Sequence, residues 1–288
     1  MKFILGSTPN LRSLEMNFRY DYRNTPFRKY VPNGTPPFSL RRFVTDHDGS
    51  LDLCAFLKTQ SALEEMYLGL LNPNIAFHTA VISRSLPGLV HLRTFNVDVA
   101  ATLLKDQKIE QFHFLGHVVE LFNRLHGQQF PTVKALSFTW NQGGNNNIFA
   151  SIFPNVRHLQ TYIVSYPRLL SCKSASHSHQ SRAENNDLAD VMSFSRLEAL
   201  YLIYMGEDDG SVEESEANLA AVVLHQLKTH PTLDRVYRSF HDGSKKWAQL
   251  LRSGVIVEEG DMSSPFGSAE LPSCTLWTCP NGLRGLSY

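Results

Sequence analysis

Apolar residues return along this chain in one spacing, apolar-x-x-apolar-x-apolar, so that positions 1, 4 and 6 of a six-residue phrase are hydrophobic. It appears in PNLRSLEMNF (9–18), LPGLVHLRTF (86–95), FPNVRHLQTY (153–162) and FSRLEALYL (194–202). Five copies are clear: Leu11/Leu14/Met16, Leu63/Met66/Leu68, Leu92/Phe95/Val97, Val133/Leu136/Phe138 and Leu197/Leu200/Leu202. Ile109/Phe112/Phe114 is nearly as good, and Leu40/Phe43/Thr45, Val156/Leu159/Thr161 and Leu233/Val236/Arg238 are degraded. Their starts are 29, 23, 29, 17, 24, 23, 41 and 36 residues apart. Alternation at positions 4 and 6 is the period of a strand with one buried face.

Between the phrases the period changes to that of a helix. Val118, Leu121, Phe122 and Leu125 fall on one face at i, i+3, i+4, i+7. Leu53, Phe56 and Leu57 begin a similar stripe after DHDGS (46–50), and Leu219, Val223 and Leu227 form another that ends at His230-Pro231. Strand, turn, helix, turn at a spacing near 25 residues predicts an α/β fold: an irregular leucine-rich repeat solenoid of about nine units. In such a horseshoe, parallel strands line the concave side and helices the outside. A unit of that size cannot bury its apolar face alone, so the phrase must repeat for the units to stack. PNL, PGL, PNV, SRL and PTL come just before or at the strand starts, as if one turn recurs. The Asn expected after each strand occurs only as Asn141, so the repeats are irregular.

SLDLCAFLKTQSALEEMYLGLL (50–71), FPNVRHLQTYIV (153–164) and HPTLDRVYRSF (230–240) carry a likeness to a known family, together with a Trp-containing stretch, KKWAQLLR (245–252), expected to be a helix. Over roughly residues 1–255 the chain resembles the leucine-rich repeat region of the F-box-like proteins of mushroom-forming fungi. The resemblance implies a protein-interaction module that selects substrates for a cullin-type ubiquitin ligase. It also implies an N-terminal F-box that docks on a Skp-type adaptor. No LP-x-E-opening helix precedes the first phrase, so the chain is expected to be the later part of a longer protein or a product without its F-box. Docking on the adaptor is expected only if an F-box precedes Met1.

Composition narrows the partners. Lys+Arg and Asp+Glu are 27 each, which does not suggest a polyanion, and no nucleic-acid partner is expected. Residues 1–45 hold eight basic side chains against two acids, whereas GEDDGSVEESE (206–216) holds six acids and no base. That segment and 171–187 read as polar insertions in a repeat domain over 1–260, followed by a poorly ordered tail, 261–288. No apolar run reaches the ~20 residues of a membrane helix, and the three-residue apolar run near Met1 is too short for a signal peptide. The four cysteines lack CxxC spacing, which with the rest predicts a cytoplasmic or nuclear protein.

Candidate chemistry is sparse. DHDGSLD (46–52) lacks the ligand spacing of a calcium loop and reads as a helix cap. HFLGH (113–117) lacks the Glu of HExxH, and Cys274 with Cys279 would make only a two-ligand site. GGNNN (143–147) lacks the Lys of a phosphate loop. No cofactor, metal or catalytic residue is assigned, and the expectation is a binding protein rather than an enzyme. A hydrolase or transferase using the scattered histidines, with His113, His117 and His158 as candidates, is the rival. The partner is expected on the concave face, where side chains between the apolar positions include Tyr67, Asn96, His113, Gln160, Tyr162, Tyr201 and Tyr237. The tyrosines are the first choices, as exposed aromatic anchors.

Overall fold

The computed structural model describes residues 5–16, 26–31, 34–46, 51–69, 84–116, 118–139, 147–163, 193–204, 227–240, 247–252 and 256–259. The fold is α/β, with one open sheet of eleven strands in sequential order. These are β1 (Ser13–Met16), β2 (Arg42–Thr45), β3 (Glu65–Leu68), β4 (His91–Thr94), β5 (Gln111–Phe114), β6 (Ala135–Thr139), β7 (His158–Ile163), β8 (Ala199–Tyr204), β9 (Arg235–Phe240), β10 (Trp247–Leu251) and β11 (Ile256–Glu259). The first nine are parallel, and β10 and β11 turn back antiparallel. Helices α1 (Leu51–Leu57), α2 (Val97–Asp106), α3 (Val118–Leu125) and α4 (Asn147–Ile152) lie on the crossovers, with a 3-10 turn at Phe27–Lys29. Right-handed crossovers that always step the same way along a sheet carry their connections on one face, and the described helices share one core with the strands.

The register lines up equivalent positions of the phrase. Position 4 forms one ladder of Leu14, Phe43, Met66, Leu92, Phe112, Leu136, Leu159, Leu200 and Val236. From Phe43 onward every member is buried, in one core with Leu103, Leu121, Phe149 and other helical side chains. At roughly 1.5–3 kcal/mol per buried large side chain, this ladder holds helices to sheet. All four residues of the 118–125 stripe are buried, as are Leu53, Phe56 and Leu57. Phenylalanines fill the middle: Phe138 stacks on Phe149 at 4.3 Å and Phe112 approaches Phe153 at 5.9 Å.

One turn does recur. The N–H of the position-1 residue donates to the carbonyl three residues earlier at Leu11, Leu63, Leu89, Val133, Val156 and Leu197. Pro follows the acceptor residue at Pro9, Pro87, Pro131 and Pro154, where its fixed φ suits the second position of a β-turn. At all eight parallel junctions the N–H groups of positions 2 and 3 then share the position-2 carbonyl of the preceding strand, from Arg12 O to Glu198 O. Two units replace the turn bond with a side chain. Leu40 N–H donates to Gln60 Oε1 (2.9 Å), and Leu233 N–H donates to His230 Nδ1 (2.9 Å).

Two expectations are corrected. The fourth copy is Leu89/Leu92/Thr94, not Leu92/Phe95/Val97: Leu92 pairs with Met66, and Val97 opens α2. KKWAQLLR is not a helix. Trp247–Leu251 is β10, which covers the open edge of β9, pairing Gln249 with Tyr237. Arg252 fastens the hairpin to the last unit, donating from Nε to Leu227 O (3.1 Å) and from Nη2 to His230 O. The sheet then continues to β11, which pairs antiparallel with β10.

Candidate interaction face

The sheet face away from the helices carries positions 3 and 5 of every phrase. Position 3 runs Ser13, Arg42, Glu65, His91, Gln111, Ala135, His158, Ala199, Arg235, and position 5 runs Glu15, Val44, Tyr67, Arg93, His113, Ser137, Gln160, Tyr201, Tyr237. The two rows differ in exposure. Arg42 and Arg235 are exposed and Glu65, His91, Gln111 and His158 half-buried, but Tyr67 (8%), Tyr201 (5%) and Tyr237 (3%) are buried, as are His113 and Gln160. The tyrosines are thus on the expected face but are buried rather than exposed anchors. Asn96 is not on this face as a strand residue. It is the N-cap of α2, its Oδ1 accepting from Val99 N–H (3.0 Å). Tyr162 lies in β7, in register with Thr139 and Ile203.

Two clusters stand out on the buried row. Tyr201 and Tyr237 stack with centroids 4.6 Å apart and planes 9° from parallel, forming with Ala199 an apolar cluster separate from the main core. Burial, reinforced by Tyr237, pushes the Tyr201 phenol up to about 12. Arg235 donates to the Tyr237 hydroxyl (3.5 Å), and His158 lies 6.4 Å from the Tyr201 ring. Burial holds His158 below the ordinary 6.5, with Glu198 opposing and Arg235 and Arg157 reinforcing the shift. Gln160 bridges toward the middle of the sheet by donating to Ser137 Oγ (3.2 Å).

The second cluster is Tyr67, Arg93 and His113, neighbours on β3, β4 and β5. The Arg93 guanidinium carbon sits 4.5 Å from the Tyr67 ring centroid, a cation–π contact. Burial, then the Arg93 charge, lowers His113 well below 6.5, so its imidazole is neutral at pH 7. Arg93 was not among the expected site residues because the three-residue shift of the fourth copy put Asn96 in its place. The signal was available: in PNL, PNV, SRL and PTL the last residue is position 1, and PGL obeys the same rule.

Exposed ion pairs border this face. Arg42 lies 3.7 Å from Glu15 and 3.6 Å from Glu65, and His91 lies 3.4 Å from Glu65. At position 2, Arg41–Glu64 (3.8 Å), Lys134–Glu110 (3.0 Å) and Arg157–Glu198 (3.3 Å) join adjacent units. Pairs this exposed are worth at most about 1 kcal/mol each and serve register more than stability.

His113 and His158 are two strands apart, about 10 Å, too far to share a proton directly. His117, residues 47–50 and 141–146, Cys172, Cys274 and Cys279 lie outside the described residues, as do both polar insertions and the tail. Cys54 is a buried free thiol. Among the described residues no group of three or more His, Cys, Asp or Glu could hold a metal ion, and no helix is long and apolar enough to cross a membrane. The chain matches no family model, no curated protein and no solved structure.

Proposed function

We propose that the chain is an irregular leucine-rich repeat solenoid that binds another protein through the sheet face opposite its described helices. In this reading it is the substrate-recognition region of an F-box-type ubiquitin ligase receptor in the cytoplasm or nucleus. The observation that carries the binding role is the register: equivalent side chains follow one another across nine parallel strands. They present an extended polar surface over a buried aromatic and polar row. A partner would contact chiefly the more accessible row of Arg42, Glu65, His91, Gln111, His158 and Arg235, with Tyr201 and Tyr237 supporting it from below. The ligase role rests on the family resemblance, and adaptor docking requires an F-box upstream of Met1.

Site-specific photo-cross-linking in cells tests both parts. A cross-linker at 91, 111 or 158 is expected to trap the same partner, while one at the exposed Val119 on α3 traps none. Equal capture from both faces would refute the assignment of the surface. Skp-type adaptor and cullin subunits in the same complexes would support the ligase role; a partner without them would leave a stand-alone repeat protein.

A further inference from the structure

We infer that Arg93 is the receptor for an oxyanion, a carboxylate or phosphate group, which it grips through the side-on edge of its guanidinium. Nε and Nη2 of Arg93 are buried and have no hydrogen-bond partner. These two nitrogens carry the parallel N–H groups of one edge of the fork, the pair that meets both oxygens of a carboxylate or phosphate at once. One face of the same guanidinium lies over the Tyr67 ring, so the two unmet N–H groups lie on its edge.

Among the described residues no anion serves the purpose. Arg93 makes no ion pair among the described residues. Its register partners are Tyr67 and His113, neither an acid, and Glu65, two residues before Tyr67, is engaged by Arg42 and His91. His113, on the other flank, is neutral and supplies no negative charge. A half-buried guanidinium with two buried, unmet donors gains from an external oxyanion, since each unmet donor carries a desolvation penalty that the ligand removes.

This deepens the proposed binding function and rests on it only for who carries the anion: an acidic or phosphorylated side chain of the protein partner. The site itself is testable without a partner. The full chain, labelled with 15N, is titrated with inorganic phosphate and separately with acetate, at ionic strength held constant with chloride. Either anion is expected to shift the Arg93 Nε–H resonance saturably and to raise the thermal midpoint. Response to acetate identifies a carboxylate ligand, and response to phosphate alone a phosphorylated one. Arg93→Lys keeps the charge but loses the fork, and should weaken binding at least about tenfold, whereas the exposed Arg196→Lys leaves it unchanged. An Arg93 resonance that neither anion moves overturns the proposal even if the variant fails to fold, and so does undiminished binding by Arg93→Lys. Because the titration contains no partner, its failure is separable from failure of the cross-linking experiment.

Discussion

At the scale of single residues, the repeat is held where its sequence fails by two polar side chains that the hydrophobic pattern ignores. Gln60 is fully buried and supplies the acceptor that Leu40 lacks, while its Nε2 donates to Thr59 Oγ1 (2.8 Å). His230 does more. Its Nδ1 accepts from both Thr232 N–H (3.2 Å) and Leu233 N–H (2.9 Å), so the proton must reside on Nε2, which donates to Phe194 O (3.1 Å). Protonating Nδ1 would set a donor against two donors. Burial lowers the His230 pKa, the Phe194 carbonyl partly offsets this, and Arg252 reinforces it. His113 and His158 shift the same way. The unfolded chain therefore binds more protons below the ordinary 6.5, so the stability these groups contribute is complete above 6.5 and lost as pH falls below it. His230→Ala should cost about 2 kcal/mol at neutral pH, by stranding two backbone donors, and should flatten this acid limb. Urea unfolding of both proteins across that range measures it; identical pH slopes would show that His230 is not one of the coupled protons.

At the scale of elements, what could be read from the chain depended on how much of each element's fate is local. The 118–125 helix was legible because four apolar residues at helical spacing have only one way to reach a core. The strands were legible for the same reason, with two failures that share a cause. In the fourth copy, Leu92/Phe95/Val97 fits the apolar spacing fully and Leu89/Leu92/Thr94 only with Thr94 at position 6, yet pairing with Met66 on β3 and capping of α2 select the second. Trp247–Leu251 became a strand because the open edge of β9 offered partners that no local propensity reports. The buried position-5 row was likewise invisible, since alternation marks which face a side chain takes but not how closely its neighbours crowd it. Asn96 tests the corrected register. As a helix cap, its replacement by Ala should destabilise by about 1 kcal/mol and leave partner cross-linking at 91, 111 and 158 unchanged. Weakened capture at unchanged stability would return Asn96 to the binding surface.

At the scale of the whole molecule, parallel strands follow sequence order, and in the repeat stack proposed above each unit depends chiefly on its two neighbours. Stability in such a stack is a sum of unit and interface contributions, so the position of a substitution along the sheet should matter as much as its chemistry. Leu136 is fully buried on β6, between β5 and β7, within the phenylalanine-rich middle. Leu14 occupies the same position of the phrase on β1, the sheet edge, and is only half-buried. Leu136→Ala should cost about 3 kcal/mol, and the loss of amide protection should spread in both directions, to β5 and β7. Leu14→Ala should cost about 1 kcal/mol and loosen β1 and β2 while β6 keeps its protection. Hydrogen exchange read strand by strand distinguishes this from a single cooperative core, in which both substitutions would lower protection uniformly. The distinction bears on function, because a face assembled from units coupled only to their neighbours can lose one end and keep Arg93 or the Tyr201–Tyr237 stack in place at the other.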